Sequence, residues 1–386
     1  MKTKKSITLT KDTLFFGTTV IAMLLMILVG MNSNLWTQNE NGQNQTNFVS
    51  GRVIDIIEDQ TGINEAGARV GTQDLLVELL EGTWRGEQII VMNRLFPIEQ
   101  AVYAQVNQRV LVFLQVGHSG TLDGYFAHIQ SYDREFPIYF TVALFLLLLI
   151  VIFGKSGVRA AFGLTFTFVT LIFALLPLIA AGHSPGFMTI LAAILIIVVS
   201  IISIMGFKKK TTVSILGSFI GVGCYILFYF ITGFILRIDG FNVAQIDLLI
   251  VAGFYIGVRE LLFSSILIAS LGGIMDVSVS LSSAVFELSQ ADKLTDVKKL
   301  FITGMKVSKD IVGSSANTLI LAFTGTFLIS LLLFATTNTH YQLLISRTDI
   351  AIEVLRAISA SAAMIVCAPA TVLIGATIFT KGGRTS

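Results

Sequence analysis

Apolar residues occupy the chain in long blocks, with polar positions set between them at regular intervals. A helix needs about twenty mostly apolar residues to cross a bilayer. The runs at 14–31, 138–153, 158–181, 187–205, 213–236, 311–334 and 350–379 meet or approach that length. The stretch 246–276 is longer than one straight span needs and is interrupted by Arg259 and Glu260. It reads as a short interfacial or re-entrant piece followed by a span from Leu261, or as one broken helix with Arg259 and Glu260 paired. In the simplest form the two charges sit in a solvated turn. Counted this way the chain has eight spans with both termini on one side.

One region breaks this pattern. From 48 to 134 the apolar residues alternate with polar ones, as in FVSGRVIDIIED, DLLVELLEGTWRGEQIIVMN, QRVLVFLQV and GYFAHIQSY. Period-two alternation marks half-buried strands, and Gly82 to Gly86 reads as a hairpin turn. About five short strands in so few residues predict a small all-β domain, an OB-like barrel or sandwich, inserted after the first span. Trp84 and Arg85 at the hairpin tip are a candidate external contact, with Trp84 as a cover for the barrel edge the plainer reading.

Charge sets the orientation. Lys2, Lys4, Lys5 and Lys11 precede the first apolar run, which reads as an uncleaved signal anchor rather than a signal peptide, since no small-x-small cleavage site is evident. Lys155 with Arg159, Lys208 to Lys210, and Lys381 with Arg384 recur at alternate turns. The positive-inside rule then puts both termini in the cytoplasm and 48–134 outside. Lys293, Lys298, Lys299, Lys306 and Lys309 make 277–309 a cytoplasmic helical segment on the same reasoning.

The candidate chemistry lies where polar groups recur inside apolar helices. Asp276, Ser280, Ser283 and Glu287 share one helical face, and so do Asp310, Ser314, Asn317 and Thr324, with Leu321 interrupting. Unsatisfied polar groups in hydrocarbon cost several kcal/mol, so such faces belong in a protein interior or wet cavity. If they converge they form an oxygen-rich, anionic site suited to a hard cation, a proton or a small polar solute. The plainer readings are helix caps for Asp276 and Asp310, and an interhelical hydrogen bond for Asn317. Gly272, Gly273 and Gly313 allow close packing or a bend beside these faces, and Pro369 is expected to kink the last helix. Gly217, Gly221 and Gly223 mark a close helix contact, and Glu353 with Arg356 an interfacial pair.

Composition narrows the classes. Hydrophobic residues make up 54% and charged residues 13%, against about 25% charged in soluble domains, so the expectation is a polytopic α-helical membrane protein. The net charge of +2 gives no ground for nucleic-acid binding. Cys224 and Cys367 both lie in apolar segments, so no disulfide framework is implied, and His118, His128, His183 and His340 are scattered. No cofactor or catalytic fingerprint is present.

The stretches MDVSVSLSSAVFEL and GMKVSKDIVGSSANTLILAFTG, in this order and spacing, resemble the YibE/YibF family of bacterial multi-pass membrane proteins. The N-terminal anchor, β-rich region and bundle together resemble its YibE-type member. The resemblance implies a bacterial cell-membrane location and a YibF-like membrane partner or a homo-oligomer, and it brings no settled activity. Three functions follow as expectations. One is a permease or transporter subunit handling an unknown small solute or ion through Asp276, Ser280, Ser283, Asp310, Ser314, Asn317 and Thr324. Another is a non-enzymatic scaffold or envelope-assembly protein acting through its β domain. The third, an intramembrane enzyme built on the two aspartates, has no activated nucleophile to support it, and the expectation is that the chain is not an enzyme.

Overall fold

In the computed structural model, the residues described are 2–33, 45–65, 67–96, 102–116, 124–238, 257–291, 296–337 and 340–381, with Leu249 and Val251. They fall into two compact units, Thr37–Leu148 on one hand and Met1–Trp36 with Leu149–Ser386 on the other.

The first unit is a five-stranded antiparallel sheet: β1 (Gln45–Ile63), β2 (Arg69–Leu79), β3 (Gln88–Leu95), β4 (Arg109–Val116) and β5 (Phe126–Tyr132). The order is β3-β2-β1-β4-β5. Alternation drives it: Ile89, Val91 and Leu95 of β3, and Val110, Val112, Leu114 and Val116 of β4, turn inward while their neighbours face out. The two end strands meet where the Tyr125 hydroxyl donates to the Ile90 carbonyl (3.1 Å) and accepts from the Ile90 N–H (2.9 Å), so the sheet is nearly closed. Trp84 packs against the barrel core and Arg85 is exposed.

Two buried amides hold the segment that crosses the end of the barrel. Asn93 donates to the Val102 carbonyl (2.7 Å) and to the Gln73 side-chain oxygen (3.1 Å), which also accepts from the Ala104 N–H (3.1 Å). Gln73 donates in turn to the Ala104 carbonyl (3.3 Å).

The second unit is helical: α1 (Lys2–Met31), α3 (Lys155–Val169), a π-helical turn (Thr170–Leu175), α4 (Leu176–Ala180), α5 (Pro185–Met205), α6 (Lys209–Ile235), α7 (Val258–Ala291), α8 (Val297–Thr336), α9 (Tyr341–Ile345) and α10 (Thr348–Lys381). The linking helix α2 (Glu135–Phe153) has no buried residue. Eight helices among the described residues are long and apolar enough to cross a membrane. The π turn has a local cause: Pro177 cannot donate to the carbonyl four residues back, and the widened turn bonds the Leu176 N–H to Leu171 instead. α1 lies on this turn, with Gly30 so close to Phe173 that a methyl group there would sit 2.6 Å from its carbonyl oxygen.

α6, α7 and α10 form the centre. Ile266, Leu267, Ile274, Leu281, Met364, Cys367 and Val372 are fully buried. Small residues set the spacing: Gly217 abuts Thr371, Gly221 abuts Ile274 and Cys367, and Gly273 abuts Met364, whereas Gly223 faces open space. α10 runs unbroken through Pro369, whose missing N–H leaves the carbonyl of Ile365 without its intrahelical donor.

The structure places the described residues of the expected cytoplasmic helical segment, 277–309, in two helices. That stretch is the second half of α7 and the first third of α8, and Val277, Leu281, Val285 and Leu300 are fully buried in the same core. Lys298, Lys299, Lys306 and Lys309 are exposed on the other face of α8. The expected short apolar piece at 246–258 lies mostly outside the described residues, as do residues 34–44 of the Asn- and Gln-rich stretch 32–47 that is expected to be a linker.

Candidate functional site: the polar faces of α7 and α8

The depth of the polar residues follows from the helix contacts. The Ser278 hydroxyl lies between Ser214 (3.1 Å) and Ser218 (2.6 Å) of α6, and all three are fully buried. α6 begins at Lys209, so Asp276, half a turn from Ser278, stands about ten residues or roughly 15 Å along α6 from that lysine. α8 returns alongside α7 with Gly304 against Val285 and Val372. Continuing this antiparallel register sets Asp276 level with Gly313, Asp310 level with Val279, and Asn317 level with Gly272. Lys298 and Lys299 fall at the level of Lys208 to Lys210, while Lys306 and Lys309 lie deeper, beside the buried core.

Neither aspartate ends a helix. α7 continues past Asp276 to Ala291, and the N-cap of α8 is Asp296, which accepts from the Lys298 N–H (3.1 Å). The two expected faces exist, and both point away from the core. Asp276, Ser280 and Glu287 are exposed and Ser283 is half-buried; Asp310, Ser314, Asn317 and Thr324 are exposed. Thr324 donates to the Ile320 carbonyl (2.8 Å), and the Ser314 carbonyl accepts from Thr318 (3.0 Å). Asp276, Asp310 and Asn317 form no side-chain hydrogen bond or ion pair among the described residues. A methyl group added at Gly272 or Gly313 would meet nothing within 4 Å. A single chain therefore brings the polar groups to one depth on neighbouring helices without enclosing them.

Arg259 and Glu260 lie in the first turn of α7, and Glu260 turns to α5 rather than to Arg259: its carboxylate accepts from the Ser184 hydroxyl (2.5 Å) and the Gly186 N–H (3.3 Å). The Arg259 carbonyl accepts from Tyr229 (3.2 Å). These residues, with Phe187, Phe230 and Phe263, border an open cavity of about 1320 Å³. Glu353 and Arg356 form the expected pair at 2.8 Å.

Read from the sequence, Ser278 and Ser282 are packing or backbone-bonded residues, and they are buried and bonded to the Met275 and Val279 carbonyls; the contact of Ser278 with Ser214 and Ser218 was not foreseen. Ser278 lies off the outward face of α7, and its partners lie on another helix. The signal was the interleaving of Ser214 and Ser218 with Gly217 and Gly221, which puts hydroxyls on the face where two backbones meet closest. Among the described residues no group of His, Cys, Asp or Glu is placed to hold a metal ion.

Eight long apolar helices among the described residues, most of them packed into one bundle, have the length and composition of membrane spans, the class a multi-pass membrane protein would present. The family of YibE/F-like proteins matches residues 141–381, well over half of the chain, and the chain belongs to that family. No curated protein and no solved structure matches it.

Proposed function

We propose that the chain is the membrane subunit of a permease, in which the outward faces of α7 and α8 carry a small polar solute or cation. The observation that carries this reading is the pair of unpartnered carboxylates, Asp276 and Asp310, at matching depth beside Ser280, Ser283, Ser314 and Asn317. Carboxylate, hydroxyl and amide oxygens suit a hard cation or a proton. In this reading the bundle sits in a bacterial cell membrane with both termini cytoplasmic. α1 is retained as a signal anchor, since Gly30 and Thr19 pack it against the bundle. The barrel is OB-like, because its strand order and the parallel sense of β3 and β5 match that topology, and it faces outward.

The test is cation flux into proteoliposomes loaded with a pH dye, under an imposed inside-negative potential. Proton entry that falls about tenfold or more in Asp276→Asn supports the reading. An absence of flux for protons and for a panel of mono- and divalent cations refutes it.

A second reading, a scaffold acting through the barrel, is favoured by one feature. Phe48, Phe113, His128 and Phe126 form a row of touching rings across β1, β4 and β5, with centroids 4.8 to 5.6 Å apart, and Phe48 and Phe126 are exposed. Removal of 48–134 that abolishes function, while Asp276→Asn and Asp310→Asn cells behave normally, selects this reading.

A further inference from the structure

We propose that the outward face of α8 is the contact between two copies of this chain, closed by reciprocal Lys309–Asp310 ion pairs at mid-depth in the bilayer. The inference does not rest on transport; where both hold, Asp310 is held by Lys309 of the other copy and Asp276 of α7 is the carboxylate left to the solute. Of the forty residues of α8, those buried are Leu300, Gly304, Ser308 and Phe334. The opposite face presents Lys306, Lys309, Asp310, Gly313, Ser314 and Asn317, all exposed. The α7 contacts set this stretch well beyond the level of Lys298 and Lys299, alongside the fully buried Ser278 and Leu281. Lys309, Asp310 and Asn317 facing lipid tails at that depth would each cost several kcal/mol, so the face requires a protein cover.

The occupant follows from symmetry and charge. Copies of one chain insert with the same orientation, so a closed pair has its two-fold axis along the membrane normal. The two α8 helices then run parallel, and each residue meets its own level on the other copy. Lys309 and Asp310 are adjacent in sequence and about 100° apart around the helix, with Gly313 and Asn317 on the line between them. Across such an axis, Lys309 of one copy faces Asp310 of the other, and the reverse pair forms at the same level. At this level the face is therefore its own complement, whereas Lys306, one turn earlier on the same line, meets its own counterpart. Gly313, beside which nothing lies within 4 Å, lets the helices approach on the axis. Asn317, also on the axis, meets its own counterpart, and two primary amides can exchange hydrogen bonds. Lys306 is one turn nearer Lys299, and its side chain leans that way, so its ammonium reaches toward the headgroup level.

The test is self-capture of the full-length protein in lipid nanodiscs, with two differently tagged copies co-expressed. The wild type captures itself. Lys309→Asp gives each copy two carboxylates at this level and Asp310→Lys gives each copy two lysines, so each variant alone loses capture by about tenfold or more. Co-expression of the Lys309→Asp copy with the Asp310→Lys copy restores the opposite charges and recovers capture, which also shows that both variants fold. A wild-type protein that is monomeric in nanodiscs overturns the proposal. So does capture that neither variant changes, or a mixed pair that fails to recover it.

Discussion

Gly217→Val should loosen the bundle centre, and Gly223→Ala should not. The two glycines lie on the same helix, six residues apart, in opposite surroundings. A Cβ at Gly217 would strike the Thr371 side chain, approaching its Cβ at 3.0 Å. Thr371 cannot turn away cheaply, since it is β-branched and its hydroxyl is bonded to the Cys367 carbonyl (2.8 Å). Overpacking of this kind costs about 1–3 kcal/mol. Valine returns only a few tenths of a kcal/mol in helix propensity over glycine, so the net loss is roughly 1–3 kcal/mol. At Gly223 nothing stands within 4 Å, and alanine gains up to about 1 kcal/mol of helix propensity. The assay is the apparent Tm of each variant in one detergent at one scan rate, read by fluorescence-detected size exclusion. The expected result is a fall of several degrees for Gly217→Val and an unchanged or raised Tm for Gly223→Ala. Equal falls for the two would refute the reading of Gly217 and Gly221 as the closest contact of α6 with α7 and α10.

Two further outcomes concern the barrel. Asn93→Ala deprives the Val102 carbonyl of its donor and the Gln73 oxygen of one of its two, and should cost about 1–3 kcal/mol, visible as faster hydrogen exchange of the Ala104 amide. Asp59 accepts from Thr61 (3.1 Å), from the Tyr103 hydroxyl (2.9 Å) and from Gln73 (3.4 Å), and hydrogen bonding, with Thr61 foremost, holds its carboxyl below the usual carboxylate range. A carboxyl depressed on folding stabilises above its unfolded pKa and loses that contribution as pH falls through its folded value. The Tm difference between wild type and Asp59→Asn should therefore be constant near neutral pH and shrink below about pH 4. It should be small, because Asp59 is exposed. A difference that grows on acidification would contradict this assignment.

The span count and the five strands were legible because both rest on periodicity. Twenty-residue apolar runs and two-residue alternation survive without knowledge of neighbours. The faces of Asp276 and Asp310 were legible for the same reason. Their direction was not, because a helix wheel shows which residues share a side and not what lies against it. The stretch 277–309 shows the limit most clearly. Its lysines set the expected side of the membrane, and that Val277, Leu281, Val285 and Leu300 are at the same time fully buried in the bundle is a separate property that no charge count reveals. Only tertiary contact reveals that one helix carries both. That Ser278 packs and bonds to its own backbone was legible from its place off the polar face; its partners Ser214 and Ser218 were not, because they lie on another helix.

The Ser214–Ser278–Ser218 contact also restricts how the bundle can move. Ser278 donates to the Met275 carbonyl (3.0 Å), so the α6 serines are the donors that come to it. Sliding α6 past α7 by one turn would bring Val222 or Lys210 to the place of a serine and Tyr225 or Gly217 to the place of Gly221. In one direction a phenol ring meets Ile274, and in the other an ammonium is drawn into the core. The serines and glycines thus act as a detent with a single seat. Any working stroke in this protein must carry α6, α7 and α10 together as one block, with the displacement taken up at its edges.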